Sequence, residues 1–224
     1  MHMGEVRLLA ERREQRRLRD SGPAGATAGD GIPIAFYFDP SCPFSYLAAE
    51  RVERRFSAVQ WVPVAAAALE VDEPWADPRV ARLLRTLADR RAAELRLPLV
   101  WPDHFPTSGT AALRVAVHAV ETGVAAPFAL AASRLAFCGG FDLEDPVILV
   151  EAAAAAGIEI DACLQAAEDP GNDEPLEANA RGLMALGVTQ LPAFRVGSRW
   201  FAGESSLGEA SAWARVPMAA TTRA

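Results

Sequence analysis

The sequence predicts an α/β fold in which a βαβ opening and a ββα ending flank a long all-helical block. Three observations carry this. Ile32–Phe38 and Val59–Ala66 are short apolar runs on either side of a stretch with helical period. Nearly everything from Pro74 to Leu186 keeps i, i+3, i+4 spacing. Beyond Gly187 the pattern returns to two short strand runs around Gly197-Ser198. The chain has 224 residues, 51% hydrophobic and 23% charged. Such a chain buries a core without disulfide staples and is not disordered. No apolar run approaches the roughly 20 residues that a membrane-spanning helix needs.

Residues 1–20 hold six arginines against four acids, and Glu5–Asp20 reads as a solvated helix of mixed charge. It has no apolar h-region, so it is not read as a secretory signal. Ser21–Gly31, with its Gly, Ala and Pro, is a linker. The first strand, Ile32–Phe38, is ended by Asp39-Pro40-Ser41-Cys42-Pro43. A helix over Ser45–Ser57 follows, with Ala48, Ala49, Val52 and Phe56 on one face, and then the second strand.

In the helical block, Val80, Leu83, Leu84 and Leu87 mark one apolar stripe. Leu113, Ala116, Val117 and Val120 mark a second, and Phe128, Ala131, Ala132 and Leu135 a third. Asp145-Pro146 supplies an N-cap and an N1 proline, and Gly157 a C-terminal stop. Glu174–Leu186 is a further helix closed by Gly187. Leu191–Val196 and Arg199–Ala202 form a hairpin. Ser206 with Glu209 is a capping box for a last helix through Trp213. The expected organisation is an extension and linker at 1–31, an α/β domain from 32–73 and 187–216, a helical insertion at 74–186, and a tail at 217–224. The two α/β pieces are too small for a comfortable core alone, so the helical block must pack onto them.

All 22 positively charged side chains are arginine, alanine is the commonest residue, and the net charge is −7. Without lysine there is no Schiff-base or P-loop chemistry. The acidic excess lies beyond residue 20, which does not suit a nucleic-acid partner. Three cysteines make no disulfide framework, in keeping with a reducing, cytoplasmic location. No cluster has metal-ligand spacing.

Cys42 is the first chemical candidate. It follows a strand and precedes Pro43, where a helix begins, and unpaired N–H groups with the helix dipole stabilise a thiolate there. Position alone leaves a reactive thiol and an inert buried one both open. Cys138 and Cys163 read as packing residues. Cys42-Pro43-Phe44-Ser45 has the spacing of a dithiol redox motif with hydroxyl in place of the second thiol. Cys42 can then attack a disulfide, but Ser45 cannot release it, and a second small thiol is required. His118, in a helix rich in Val and Ala, reads as structural, as do Trp200 and Trp213. His104 in its loop is a weaker candidate for binding. Asn179 and Arg181 read as solvent-facing or capping residues. Leu191-Pro192 opens a strand, where a trans bond is the default.

Phe36–Leu47, Leu97–Phe105, and Gly187–Phe194 followed by Trp200–Gly203 together resemble the DsbA-like branch of thioredoxin-fold proteins. That branch includes DsbA-type oxidoreductases, 2-hydroxychromene-2-carboxylate isomerases and kappa-class glutathione transferases. The resemblance implies a thioredoxin-like domain interrupted by a helical one, with Pro192 cis and beside Cys42. It implies that the Leu191 backbone pairs with glutathione or a peptide-like substrate, that Trp101, His104 and Phe105 overlie the cleft between the domains, and that Pro43 and Phe44 are among the substrate- or thiol-binding residues.

Two departures bear on function. The isomerases and kappa transferases carry serine where Cys42 stands. They also read glycine-asparagine-aspartate where this chain has Gly203-Glu204-Ser205, so Glu204 is the substitute carboxylate and Ser205 brings no charge. The expected activity is therefore a monothiol oxidoreductase. Cys42 is the nucleophile, Ser45 a hydrogen-bond donor to it, and glutathione or another small thiol such as mycothiol the co-substrate rather than a permanently bound cofactor. A thiol-dependent isomerase or transferase on an electrophilic substrate is one alternative, and a non-catalytic binding module another. Kappa-like relatives pair, which raises a homodimer as an expectation. Neither a membrane nor a nucleic acid is an expected partner.

Overall fold

The structure, a computed structural model, describes residues 32–69, 75 and 77–216. The helix and linker expected within 1–31, the tail at 217–224 and the start of the helical block at Pro74 lie outside them. All contacts below fall within the unit that begins at Ile34.

The order of elements is βαβ, six helices, then ββα. Strand β1 (Ile34–Phe38) leads into α1 (Pro43–Arg55) and then β2 (Gln60–Pro63). The helical block comprises α2 (Pro78–Leu95), α3 (Thr110–Glu121), α4 (Ala125–Phe137), α5 (Pro146–Ala155), α6 (Ile160–Glu168) and α7 (Asp173–Ala185). The chain closes with β3 (Ala193–Val196), β4 (Arg199–Ala202) and α8 (Leu207–Ala214). The sheet order is β2-β1-β3-β4, with β1 parallel to β2 and antiparallel to β3. This is the arrangement of a thioredoxin-like fold with a helical insertion.

Side chains opposite one another across the ladders share a face of the sheet. One face carries Phe36, Phe38, Trp61 and Phe194, with Phe36 stacked on Phe194 at 5.4 Å and meeting Trp61 edge-on at 4.9 Å. On the other face Ala193 packs with Ala180 and Leu183 of α7, and Tyr37 and Trp200 lie against that cluster. Asn179 of α7 donates to the Pro63 carbonyl at 3.0 Å, closing the end of β2. On α4, Arg134 binds Glu50 of α1 through two hydrogen bonds of 2.5 and 2.9 Å. The helical block is thereby tied to the end of β2 and to α1.

The termini follow local chemistry where the sequence is explicit. Asp145 caps α5 by accepting from the Val147 N–H, and Pro146 occupies its first turn. The hairpin turns at Gly197, whose φ of 62° suits glycine. The capping box expected at Ser206 does not form. Ser206 ends a short 3₁₀ turn over Glu204–Ser206, and its hydroxyl donates back to the Gly203 carbonyl at 2.7 Å. Trp213, read as core, lies at the surface with the Arg199 guanidinium 3.9 Å from its ring centre. Among the described residues no helix is long and apolar enough to cross a membrane.

Candidate active site

The strand β1 ends at Phe38, and the next four residues make the turn that presents Cys42. The Cys42 N–H donates to the Asp39 carbonyl at 3.1 Å, and its own carbonyl accepts from Tyr46 N–H at 3.0 Å. Cys42 is thus the N-cap of α1 in extended backbone geometry, with Pro43 in the first turn and no hydrogen bond from the cysteine side chain to the helix backbone as a cap. Cys42 is partly exposed, and the N–H groups of Phe44 and Ser45 with the Ser45 hydroxyl are the neighbouring donors that favour its thiolate. Ser45 is buried, and its Oγ accepts from Asp39 N–H at 3.2 Å. That bond leaves the hydroxyl proton free for another acceptor.

The electrostatics run against the sequence expectation of an acidic thiol. Burial pushes the Cys42 thiol up to about 11, and the Asp39 carboxylate adds to the rise. The three donors act in the opposite direction but do not win. Proximity to a helix N-terminus is a local signal; desolvation and the nearby carboxylate come from the folded surroundings.

Asp39 was not singled out by the sequence reading. It is only 2% exposed, and its Oδ1 accepts from Ser41 N–H at 2.8 Å and the Ser41 hydroxyl at 2.6 Å. Its Oδ2 accepts from Ala66 N–H at 2.8 Å. Burial raises its pKa above the ordinary carboxylate value, and these donors hold the rise back. The available signal was an acid closing an apolar, aromatic strand just before the cysteine turn.

The Leu191–Pro192 bond is cis, as is Phe105–Pro106. Tyr37 pairs with Ala193, so the ladder carried further brings Pro192 and Leu191 alongside Phe38 and Asp39. The Pro192 carbonyl accepts from Gly203 N–H at 2.7 Å. Leu191 and Pro192 are buried, as is Pro43, while Phe44 is partly exposed. The structure therefore gathers Cys42, Pro43, Phe44, Ser45, Leu191 and Pro192 at one end of the sheet.

Other candidates are placed differently. Glu204 is buried and held by two guanidinium groups, Arg51 of α1 and Arg91 of α2, the latter at 2.6 and 3.2 Å. Its charge is already answered, which leaves the substitute-carboxylate role without a free acceptor. Ser205 beside it is exposed. Trp101 donates from Nε1 to Asp89 at 2.9 Å and lies under the Arg85 guanidinium. It packs edge-on against Phe105 at 4.9 Å, and both meet Trp75. His104 is exposed in the same loop. The aromatic series continues through Phe137 to Tyr46, whose ring stacks on Phe137 at 5.7 Å one helical turn from Cys42.

Cys138, expected as packing, is partly exposed, and its sulfur lies 3.2 Å from the Tyr46 hydroxyl. That hydroxyl donates to the Pro98 carbonyl, and burial, then the Cys138 contact, raises its ionisation. Cys163 is buried. No group of side chains among the described residues has the make-up of a metal site.

A cysteine at a helix N-terminus beside this four-stranded sheet, with Pro192 cis at the same end, is the arrangement of a thioredoxin-like domain. The family of DSBA-like thioredoxin domains matches residues 33–211, and the chain belongs to it. None of the curated proteins compared with this sequence matches it. Among solved structures, the chain is similar to a 2-hydroxychromene-2-carboxylate isomerase, with a TM-score of 0.72 and 15% identity over 81% of this chain and 94% of that one. It is also similar to a probable DsbA oxidoreductase from Streptomyces coelicolor, with a TM-score of 0.67 and 19% identity over 84% and 93%. A cytosolic disulfide reductase, DsbM from Pseudomonas aeruginosa with GSH, gives 0.57 and 18% over 82% and 96%. At these identities the likeness is one of fold.

Proposed function

We propose that the protein is a single-thiol exchange enzyme in which Cys42 is the nucleophile and an external small thiol completes turnover. The observation that supports this is a partly exposed cysteine at the N-cap of a helix, with hydroxyl rather than thiol three residues on. The Cys42 thiolate attacks one sulfur of a disulfide R–S–S–R′, and R′–S⁻ leaves and is protonated. A small thiol attacks the Cys42 sulfur of the mixed disulfide and releases R–SH. A second small thiol attacks the small-thiol sulfur, which frees Cys42 and forms the small-thiol disulfide. Two electrons pass from two small thiols to the substrate. Glutathione is the first co-substrate to try and mycothiol the second. The site suits a reducing, cytoplasmic setting.

Because the resting thiol is held up to about 11, exchange is expected to accelerate from neutral pH toward that value as the thiolate fraction grows. Intact mass after incubation with glutathione disulfide or mycothiol disulfide is expected to show one adduct, on Cys42, which Cys42→Ser lacks. No adduct with either disulfide, or undiminished turnover in Cys42→Ser, removes this reading.

One observation favours a second reading. A protonated Cys42 beside the aromatic series from Tyr46 to Trp101 can donate its S–H to a bound small-molecule thiolate, as the serine of the isomerases and kappa transferases does. That reading expects thiol-dependent turnover of an aromatic electrophile with a flat pH profile, and activity that survives Cys42→Ser.

A further inference from the structure

We propose that Asp39 is a positioning residue for Cys42, a buried carboxylate that builds the turn carrying the sulfur and opposes negative charge on it. The inference rests on the reading of Cys42 as the reacting group. Its basis is the number of elements that meet at this one residue. The Asp39 carbonyl accepts from Cys42 N–H, and its N–H donates to the Oγ of Ser45 in the first turn of α1. Its carboxylate takes both donors of Ser41 and the N–H of Ala66, where the chain leaves β2. From the other side, Gly109 at the N-terminus of α3 presses on Ser41. A Cβ at Gly109 would lie 2.6 Å from Ser41 Oγ and 3.7 Å from Asp39 Oδ1. The turn is held between the sheet and the helical block, with Asp39 at its centre.

The carboxylate's partners are all neutral. Hydrogen bonds stabilise its charge without cancelling it, so the field reaches the neighbouring sulfur. Facing Cys42 are Asp39 from the end of β1 and the Phe44 and Ser45 donors from α1; Asp39 supplies the one charge acting on it among the described residues. The consequence falls on two steps of exchange. Cys42 must become a thiolate to attack, and it must leave as a thiolate when the last small thiol attacks the mixed disulfide. Asp39 opposes both. It favours Cys42 held as neutral thiol or neutral mixed disulfide, and so lengthens the life of the protein–thiol adduct.

The test is iodoacetamide alkylation of wild type and Asp39→Asn across pH, read by peptide mass spectrometry with Cys138 and Cys163 as internal controls. Asp39→Asn is expected to move the Cys42 midpoint down and to speed its alkylation at pH 8 about threefold. A tenfold gain in thiolate is partly offset by lower intrinsic nucleophilicity. Release of the Cys42–glutathione adduct by reduced glutathione is expected to quicken as well, and the controls to stay put.

Asp39→Asn sets an amide N–H₂ against Ala66 N–H, so a second measurement uses the native residue. In wild type, the Asp39 carboxyl ¹³C signal is expected to step at the Cys42 midpoint, and in Cys42→Ala the step is expected to vanish. A folded Asp39→Asn with an unmoved midpoint, or a wild-type carboxyl signal without that step, overturns the proposal. The two readings separate. A moved midpoint without any mixed disulfide on Cys42 leaves Asp39's role standing and removes the exchange function. A mixed disulfide with an unmoved midpoint does the reverse.

Discussion

Among the described residues two carboxylates are buried, Asp39 and Glu204, and their surroundings give them opposite tasks. Glu204 lies between Arg51 and Arg91, so its charge is matched by guanidinium groups on α1 and on the inserted α2. Asp39 has only neutral donors, from Ser41 and Ala66. A matched carboxylate acts as a clamp, because its field ends on its partners and what remains is geometry between elements. An unmatched one keeps its field, and the nearest group able to respond is the Cys42 thiol. One carboxylate fastens the helical block to the sheet layer; the other conditions the chemistry. Burial alone therefore says little about a carboxylate until its partners are named.

The largest test of this contrast is Glu204→Gln. Breaking a buried pair leaves Arg51 without this counter-charge and Arg91 with Glu94 alone, and is expected to cost about 3 kcal/mol of stability in urea unfolding. The Cys42 alkylation midpoint should stay where it is. Movement as large as that in Asp39→Asn would erase the distinction between clamp and field.

Gly109→Ala comes next. Its φ of 60° and the 2.6 Å approach of a new Cβ to Ser41 Oγ are expected to cost about 2 kcal/mol and to disturb the turn that Asp39 holds. Gly123→Ala is the control, with a φ of 79° and nothing within 4 Å. It should lose about 1 kcal/mol from backbone strain and leave Cys42 reactivity unchanged.

The smallest effect is on stability at high pH. The folded thiol of Cys42 is raised from 9.0 to about 11, so the unfolded chain gives up its proton first. Stability contributed by this thiol is complete below 9.0 and is lost as pH rises through about 11. Cys42 is partly exposed, so solvent screening reduces the effect. Tyr37, Tyr46 and Cys163 are raised as well, so the informative quantity is the difference between wild type and Cys42→Ser. The gap between their unfolding free energies should narrow over that window, with wild type losing ground.

Much of the backbone was legible because its signals are local. A strand followed by Cys42-Pro43 leads into a helix with Cys42 at its N-cap, since proline fixes φ and needs no hydrogen-bond acceptor for a missing N–H. Asp145-Pro146 and Gly157 bracket α5, and Gly197 turns the hairpin, for the same kind of reason. Where a local signal met a competitor it failed. Ser206 turns its hydroxyl back to donate to the Gly203 carbonyl instead of accepting from the N–H groups of the helix ahead, and the expected capping box was lost.

What the sequence by itself determined was the succession of strands and helices, the position of Cys42 at the start of a helix and the hydroxyl of Ser45 one turn along. The tertiary structure decided which charges those groups feel. Glu204 meets Arg51 across 153 residues and Arg91 across 113, and no spacing rule reaches so far. Asp39 acquires its field from burial under Ala66 and beside Gly109, residues brought to it by the sheet and the helical block. Helix formation depends on neighbours along the chain, whereas the ionisation of Cys42 depends on how much water the whole fold leaves around it.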